Sequence, residues 1–187
     1  AAILGIVPIL VSGLADKDSI IIDAKSGVSG AGKKVEMGYI YPEVSENFKG
    51  YKFNVHQHSP EINQELSKVS ISKVSVIFCP HLLPVNRGIY ETIYIKLKKN
   101  VEPKILENIY KKFYKTEPFV RVKDMGRLPE LKDVVGTNFC DIGLVHDAHA
   151  RQLIVVSVID NLMKGASGQA VQNMNIMCGF NEKAALL

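Results

Sequence analysis

The densest cluster of chemically capable residues is His56-Gln57-His58-Ser59-Pro60-Glu61. Two imidazoles two positions apart at the end of an extended segment point to one side, and a carboxylate in the first turn of a following helix can lie beside them. Histidine, with an ordinary pKa of about 6.5, is the natural proton shuttle, and a neighbouring carboxylate can orient the ring or raise its pKa. The other reading is a surface strand end with incidental histidines, and spacing alone leaves both open. Zinc is not implied: an HxH pair supplies two ligands, and the nearest thiol, Cys79, sits in an apolar run. A second group is the segment from Pro80 to Gly88, where Arg87 sits beside two prolines and a glycine. Its planar fork suits a carboxylate or phosphate, or it ties its own loop to backbone carbonyls. A third is Ser26-Gly27-Val28-Ser29-Gly30-Ala31-Gly32, which can present backbone N–H groups to an anion or let a cofactor approach closely. Without a Walker lysine it does not imply a nucleotide triphosphate. Cys79, Cys140 and Cys178 all sit in apolar patterns and read as small buried hydrophobes.

The elements that must position these groups follow from periodicity. Ile3, Leu4, Val7, Leu10 and Val11 recur at helical spacing, with Gly13 placed to end the helix. No Ser, Thr, Asp or Asn caps its start and no Met begins the chain, so the sequence is expected to open inside a helix with something preceding it. The same stretch has neither the flanks of a signal peptide nor the length of a membrane span. Ile20 to Ala24 reads as a buried strand and residues 33–50 as a long ordered connection. Tyr51 to His56 is expected as a strand. A helix capped by Ser59 and opened by Pro60 follows, running to about Val69. Further strands are expected over 74–79, 89–97, 119–122, 134–138, 140–145 and 153–159, with Ile89, Ile93, Ile95 and Leu97 alternating onto one face. A helix spans Glu102 to Tyr114 and a last one about Met163 to Cys178. Strands outnumber helices, and several neighbours are joined too tightly for a crossover helix. The pattern is therefore α+β, with a mixed, largely antiparallel sheet and helices on one face.

The 187 residues are 47% apolar and 22% charged, with 14 Gly, 8 Pro and 3 Cys. That composition excludes disorder, collagen and a disulfide scaffold, and a fold of this size buries roughly 70% of its chain surface without staples. A net charge of +4 with mixed signs is not the field of a dedicated nucleic-acid binder. Few, scattered cysteines fit a reducing, cytoplasmic compartment.

Several segments recur together. Lys25 to Gly32, His56-Gln57-His58-Ser59-Pro60-Glu61-Ile62, Pro80 to Pro84 with Arg87-Gly88-Ile89, Asn138-Phe139-Cys140-Asp141, and Asp160 to Ala166 with Gln169 to Asn173 resemble, in this order, the C-terminal part of the N-acetyl-gamma-glutamyl-phosphate reductase family. That family is of the aspartate-semialdehyde and glyceraldehyde-phosphate dehydrogenase type. The resemblance implies a catalytic and dimerisation domain over 1–160, and a C-terminal helix in 161–187 that packs against an N-terminal Rossmann domain absent from this chain. It also implies a cysteine nucleophile in a Gly-Cys-Tyr-Pro-Thr motif just before the Ala-Ala start, a position that none of Cys79, Cys140 and Cys178 matches. The implied reaction is NADP-dependent reduction of an acyl phosphate to a semialdehyde through a cysteine thioester, in arginine biosynthesis. By resemblance His56 is the acid/base. His58 and Glu61 would orient that histidine or bind substrate, Arg87 would hold the substrate carboxylate or the phosphate, and Ser26, Gly27 and either Gln169 or Asn173 would meet the cofactor. No metal, nucleic acid or membrane is implied, and a homodimer or homotetramer built on the sheet is. The chain alone is expected to be inactive. The alternative is a non-catalytic, stand-alone folding or interaction module derived from the family.

Overall fold

The computed structural model describes residues 1–32 and 36–187; the expected connection over 33–50 therefore lies partly outside the described residues. Helix α1 is Ala2–Val11, strand β1 Ala15–Gly27, the short helix α2 Tyr41–Val44 and strand β2 Lys49–Gly50. Helix α3 (His58–Ser70) is followed by β3 (Val76–Leu83) and β4 (Ile89–Leu97). Helix α4 is Pro103–Phe113, and β5, β6 and β7 are Val120–Val122, Cys140–Asp147 and Gln152–Ile159. A π-helical turn, Met163–Ser167, leads into α5, Gly168–Met177.

Among the described residues the strands join one seven-stranded sheet in the order β2-β3-β1-β4-β7-β6-β5. β1 with β3 and β5 with β6 pair in parallel, and the remaining neighbours are antiparallel. The expected mixed, largely antiparallel sheet is thus observed. Period-two alternation sends Ile20, Ile22, Ile93, Ile95, Ile142, Leu144, Leu153 and Val155 to one face, where they are buried under Ile6 and Ile9 of α1, Leu66 of α3 and Leu106 and Tyr110 of α4. Each such side chain contributes roughly 1.5–3 kcal/mol by leaving water. On the opposite face the 131–139 segment covers Val156 and Val158, while Ile21 and Ile77 remain exposed.

Helix α1 contains Pro8, whose nitrogen cannot donate to the Leu4 carbonyl. The Tyr114 hydroxyl donates to that oxygen instead at 2.6 Å, and Tyr110 donates to the Gly5 carbonyl at 2.8 Å. The Tyr114 phenol thereby replaces the lost helical bond, and both phenols lock α1 onto the layer. Gly13, at φ 74°, closes the helix with a bond to the Leu10 carbonyl.

Several local expectations are corrected. Tyr51 to His56 is a run of turns, because β2 ends at Gly50. Helix α3 starts at His58 without a side-chain cap, and the Ser59 hydroxyl lacks a partner. Lys25 to Gly27 belong to β1, and Pro80 to Leu83 to β3. Pro80 is tolerated there because its carbonyl, and hence the side where its N–H would lie, faces the short β2 edge, where it accepts from Tyr51. Residues 134–138 are turns, not a strand. Cys178 is exposed, whereas Cys140 is buried and Cys79 half-buried.

Candidate active site

A concavity of about 660 Å³ opens at the N-terminal end of α1. Ala1, Ala2 and Leu4 form one wall, His58 and Glu61 come from the first turn of α3, Glu91 from β4, and Lys164, Gln169 and Gln172 from the last helical segment. Helix α1 starts with no side-chain cap. Its first N–H groups and macrodipole therefore favour negative charge at this mouth.

Of the expected site residues, His58, Glu61 and Gln169 line this cavity and His56 does not. His56 lies behind His58, with ring centroids 5.0 Å apart, and packs on Phe78 and Tyr51. The His58 backbone N–H donates to His56 Nδ1 at 3.2 Å. That bond requires Nδ1 to be unprotonated and places the neutral ring's hydrogen on Nε2. Burial, then the neighbouring His58 and Lys52, push the His56 pKa below its ordinary 6.5. The folded protein thus holds His56 neutral where an unfolded chain begins to protonate it, and this contribution to stability is lost as pH falls from 6.5 through the lowered value. Proton-detected titration should show His56 titrating below 6.5, and His58→Asn should move it up; a His56 resonance titrating at or above 6.5 would contradict this account.

Arg87, Ser26 and Gly27 gather elsewhere. Arg87 Nε lies 3.1 Å from Oδ2 of the fully buried Asp160, a close ion contact whose angle is too bent for a hydrogen bond. Asp160 also accepts from the backbone N–H groups of Leu162, Met163 and Gly136 at 2.7, 3.1 and 2.6 Å. The Ser26 hydroxyl donates to the Gly27 carbonyl. A Cβ on Gly27 would stand 2.7 Å from the Asn86 carbonyl oxygen, so the approach of its own chain already demands glycine there. Asn161 bridges the two loops, accepting from the Gly88 N–H and donating to Ser29. Gln169 Nε2 donates to Asn173 Oδ1 at 2.9 Å, which leaves Asn173 on the exposed side of α5.

Two lining residues escaped the sequence reading. Glu91 is 6% exposed, its Oε2 has no partner, and burial pushes its pKa up. Its signal was present, since it occupies the inward register of Ile89, Ile93 and Ile95. Lys164 is 9% exposed and had no comparable signal. Burial pushes the thiols of Cys79 and Cys140 up as well, which disfavours either as a thiolate nucleophile. Among the described residues no group of three or more His, Cys, Asp or Glu could hold a metal, and no helix is long and apolar enough to cross a membrane.

Residues 1–161 match the family model described as the semialdehyde dehydrogenase dimerisation domain. The chain belongs to this family. Over 186 residues it is 51% identical to the N-acetyl-gamma-glutamyl-phosphate reductase of Geobacillus stearothermophilus and 53% to that of Pelotomaculum thermopropionicum, in both cases across 100% of this chain and 54% of the relative. It spans about half the length of the curated relatives it matches. Aspartate semialdehyde dehydrogenase II from Vibrio cholerae superposes with a TM-score of 0.70 over 92% of this chain and 58% of that one, at 18% identity. At that identity the likeness concerns the dimerisation-domain fold alone.

Proposed function

We propose that this chain is the C-terminal catalytic and dimerisation part of an NADP-dependent reductase that converts N-acetyl-gamma-glutamyl phosphate to N-acetylglutamate semialdehyde. The observation that carries the proposal is the cavity at the uncapped start of α1, which combines a helix N-terminus with His58, Glu61 and Gln169. By resemblance, a cysteine thiol immediately before α1 would stand at this mouth, where the helix favours its thiolate.

Within that frame the histidine pair handles the proton. His58 faces the cavity and would take the thiol proton and return it to the oxygen that gains charge during reduction. His56, held as the Nε2–H tautomer by its bond to the His58 N–H, would set the position of that ring. Glu61, in the same first helical turn, would bind or orient. The dinucleotide supplies hydride and is held mainly outside this chain. Gln169 is the residue here best placed to meet its carboxamide, because Asn173 occupies its Nε2 and leaves Oε1 as an acceptor. Ser26 and Gly27 fit a cofactor cradle less well, since the 85–88 loop already fills the space beside Gly27. Arg87 would act through Asp160, shaping the segment that carries Lys164 and Gln169. The exposed Ile21 and Ile77 on the open sheet face support self-association, and exposed Met174, Met177 and Phe180 support docking of the 161–187 segment on the dinucleotide domain.

The complete protein should oxidise NADPH in the presence of N-acetyl-gamma-glutamyl phosphate, while the 187-residue chain alone should show no turnover. Activity of this chain by itself, or none in the complete protein, would overturn the proposal.

A further inference from the structure

Lys164 is unusual among the basic residues of this protein. It is 9% exposed, and its ammonium donates to one acceptor, Oε1 of Gln172, at 2.6 Å. A buried cation is stable only when paired or hydrogen-bonded throughout, yet among the described residues no carboxylate forms an ion pair with it. The face of the Phe119 ring, 5.5 Å away, offers only a weak cation–π contact. Burial pushes its pKa down, although its more distant neighbours, the carboxylates of Glu182 and Glu117 among them, oppose this.

The surroundings hold this ammonium in one place. Gln172 donates through Nε2 to Glu182 at 2.6 Å, which turns its carbonyl oxygen toward Lys164, and the buried Asn138 side chain donates to the same oxygen at 3.0 Å. Lys164 itself rides on the Met163–Ser167 π-helical turn, a local distortion that recurs at functional sites. That turn is anchored by Asp160 through the Leu162 and Met163 N–H groups. Lys164 lines the same cavity as the N-terminus of α1, His58 and Glu61, and so do Gln172 and Phe119, the two residues its ammonium contacts.

We infer that Lys164 is an anion-binding residue of this cavity, whose remaining N–H donors take an anionic oxygen group of the substrate, a carboxylate or a phosphoryl group. The identity of that substrate rests on the reductase reading; the anion site itself rests on a positioned, under-partnered ammonium facing a cavity. Arg87, engaged with Asp160 away from the cavity, does not compete for this role.

The test uses the 187-residue chain with orthophosphate and N-acetylglutamate as separate probes, read by calorimetric titration and thermal melting. Wild type should bind at least one probe saturably. Lys164→Met should weaken that binding at least tenfold, and Lys164→Arg should retain more of it. Without anion, Lys164→Met should melt at the same or a higher temperature, because an apolar side chain of similar length replaces an under-compensated charge. Binding of orthophosphate identifies a phosphoryl site, and binding of N-acetylglutamate alone a carboxylate site. No saturable binding by wild type, unchanged affinity in Lys164→Met, or a lower melting temperature for that variant without anion would overturn the inference. Failure of the reductase reading shows separately, as absence of NADPH oxidation by the complete protein while the chain's anion binding persists.

Discussion

His58→Asn in the complete reductase should lower kcat by about 10²- to 10⁴-fold, the range expected on removing a general acid or base, with little change in NADPH affinity. Two observations set this apart from a structural effect. His58 is exposed at the cavity wall and no core packing depends on it, and asparagine can keep the α3 start, whose bond to His56 comes from the backbone N–H. His56→Asn should also impair turnover, because it removes the acceptor that holds that N–H and a ring packed on Phe78. Steady-state kinetics of both variants decide between the rings. A larger loss at His58 assigns the proton to the cavity-facing imidazole; a larger loss at His56 returns it to the residue that the family resemblance singled out; normal kcat in both removes the histidine pair from the mechanism.

The second large effect is on stability. Asp160→Ala should destabilise the chain by about 3–5 kcal/mol, mainly because three backbone N–H groups lose their acceptor at roughly 1–3 kcal/mol each, while the pair with Arg87, itself 36% exposed, adds little; that is a large share of the ~5–15 kcal/mol that holds a typical domain together. Asp160 is fully buried and serves Arg87 and three backbone N–H groups, from Gly136, Leu162 and Met163. Removing it orphans the N–H groups that start the π turn and frees Arg87 from its partner. Asp160→Asn, which keeps one carbonyl acceptor, should lose less. Urea denaturation of the three chains measures the difference, and a loss below about 1 kcal/mol in Asp160→Ala would show that the turn is held by something else.

Particular residues show where sequence reasoning reaches and where it stops. The alternation of Ile89, Ile93, Ile95 and Leu97 and the helical spacing from Ile3 to Val11 were legible because burial on one face imposes a period that local geometry alone sets. Tyr51 to His56 looked like a strand for its β-favouring residues, and β3 runs on beside it to Val76, but after the Tyr51 N–H bond to Pro80 the chain turns away, with Lys52 and Asn54 at positive φ, so no further pairing forms. Pro80 looked like the start of a loop, yet it sits within β3 because its missing donor faces an edge with little to pair. Arg87 and Gly27 carried the right chemistry for an anion or cofactor, and only their contacts with Asp160 and Asn86 show that the chain itself uses them.

The sequence by itself determined the α+β class, the mixed sheet, the helix with the uncapped start, and the grouping of His58 with Glu61, all of which depend on spacing along one or two elements. Only the tertiary structure decided that Glu91 and Lys164 share one cavity with them, and that His56 stands behind His58. Residues 30 to 106 positions apart in the chain meet there, and an uncompensated buried charge becomes visible only when every possible partner around it has been placed.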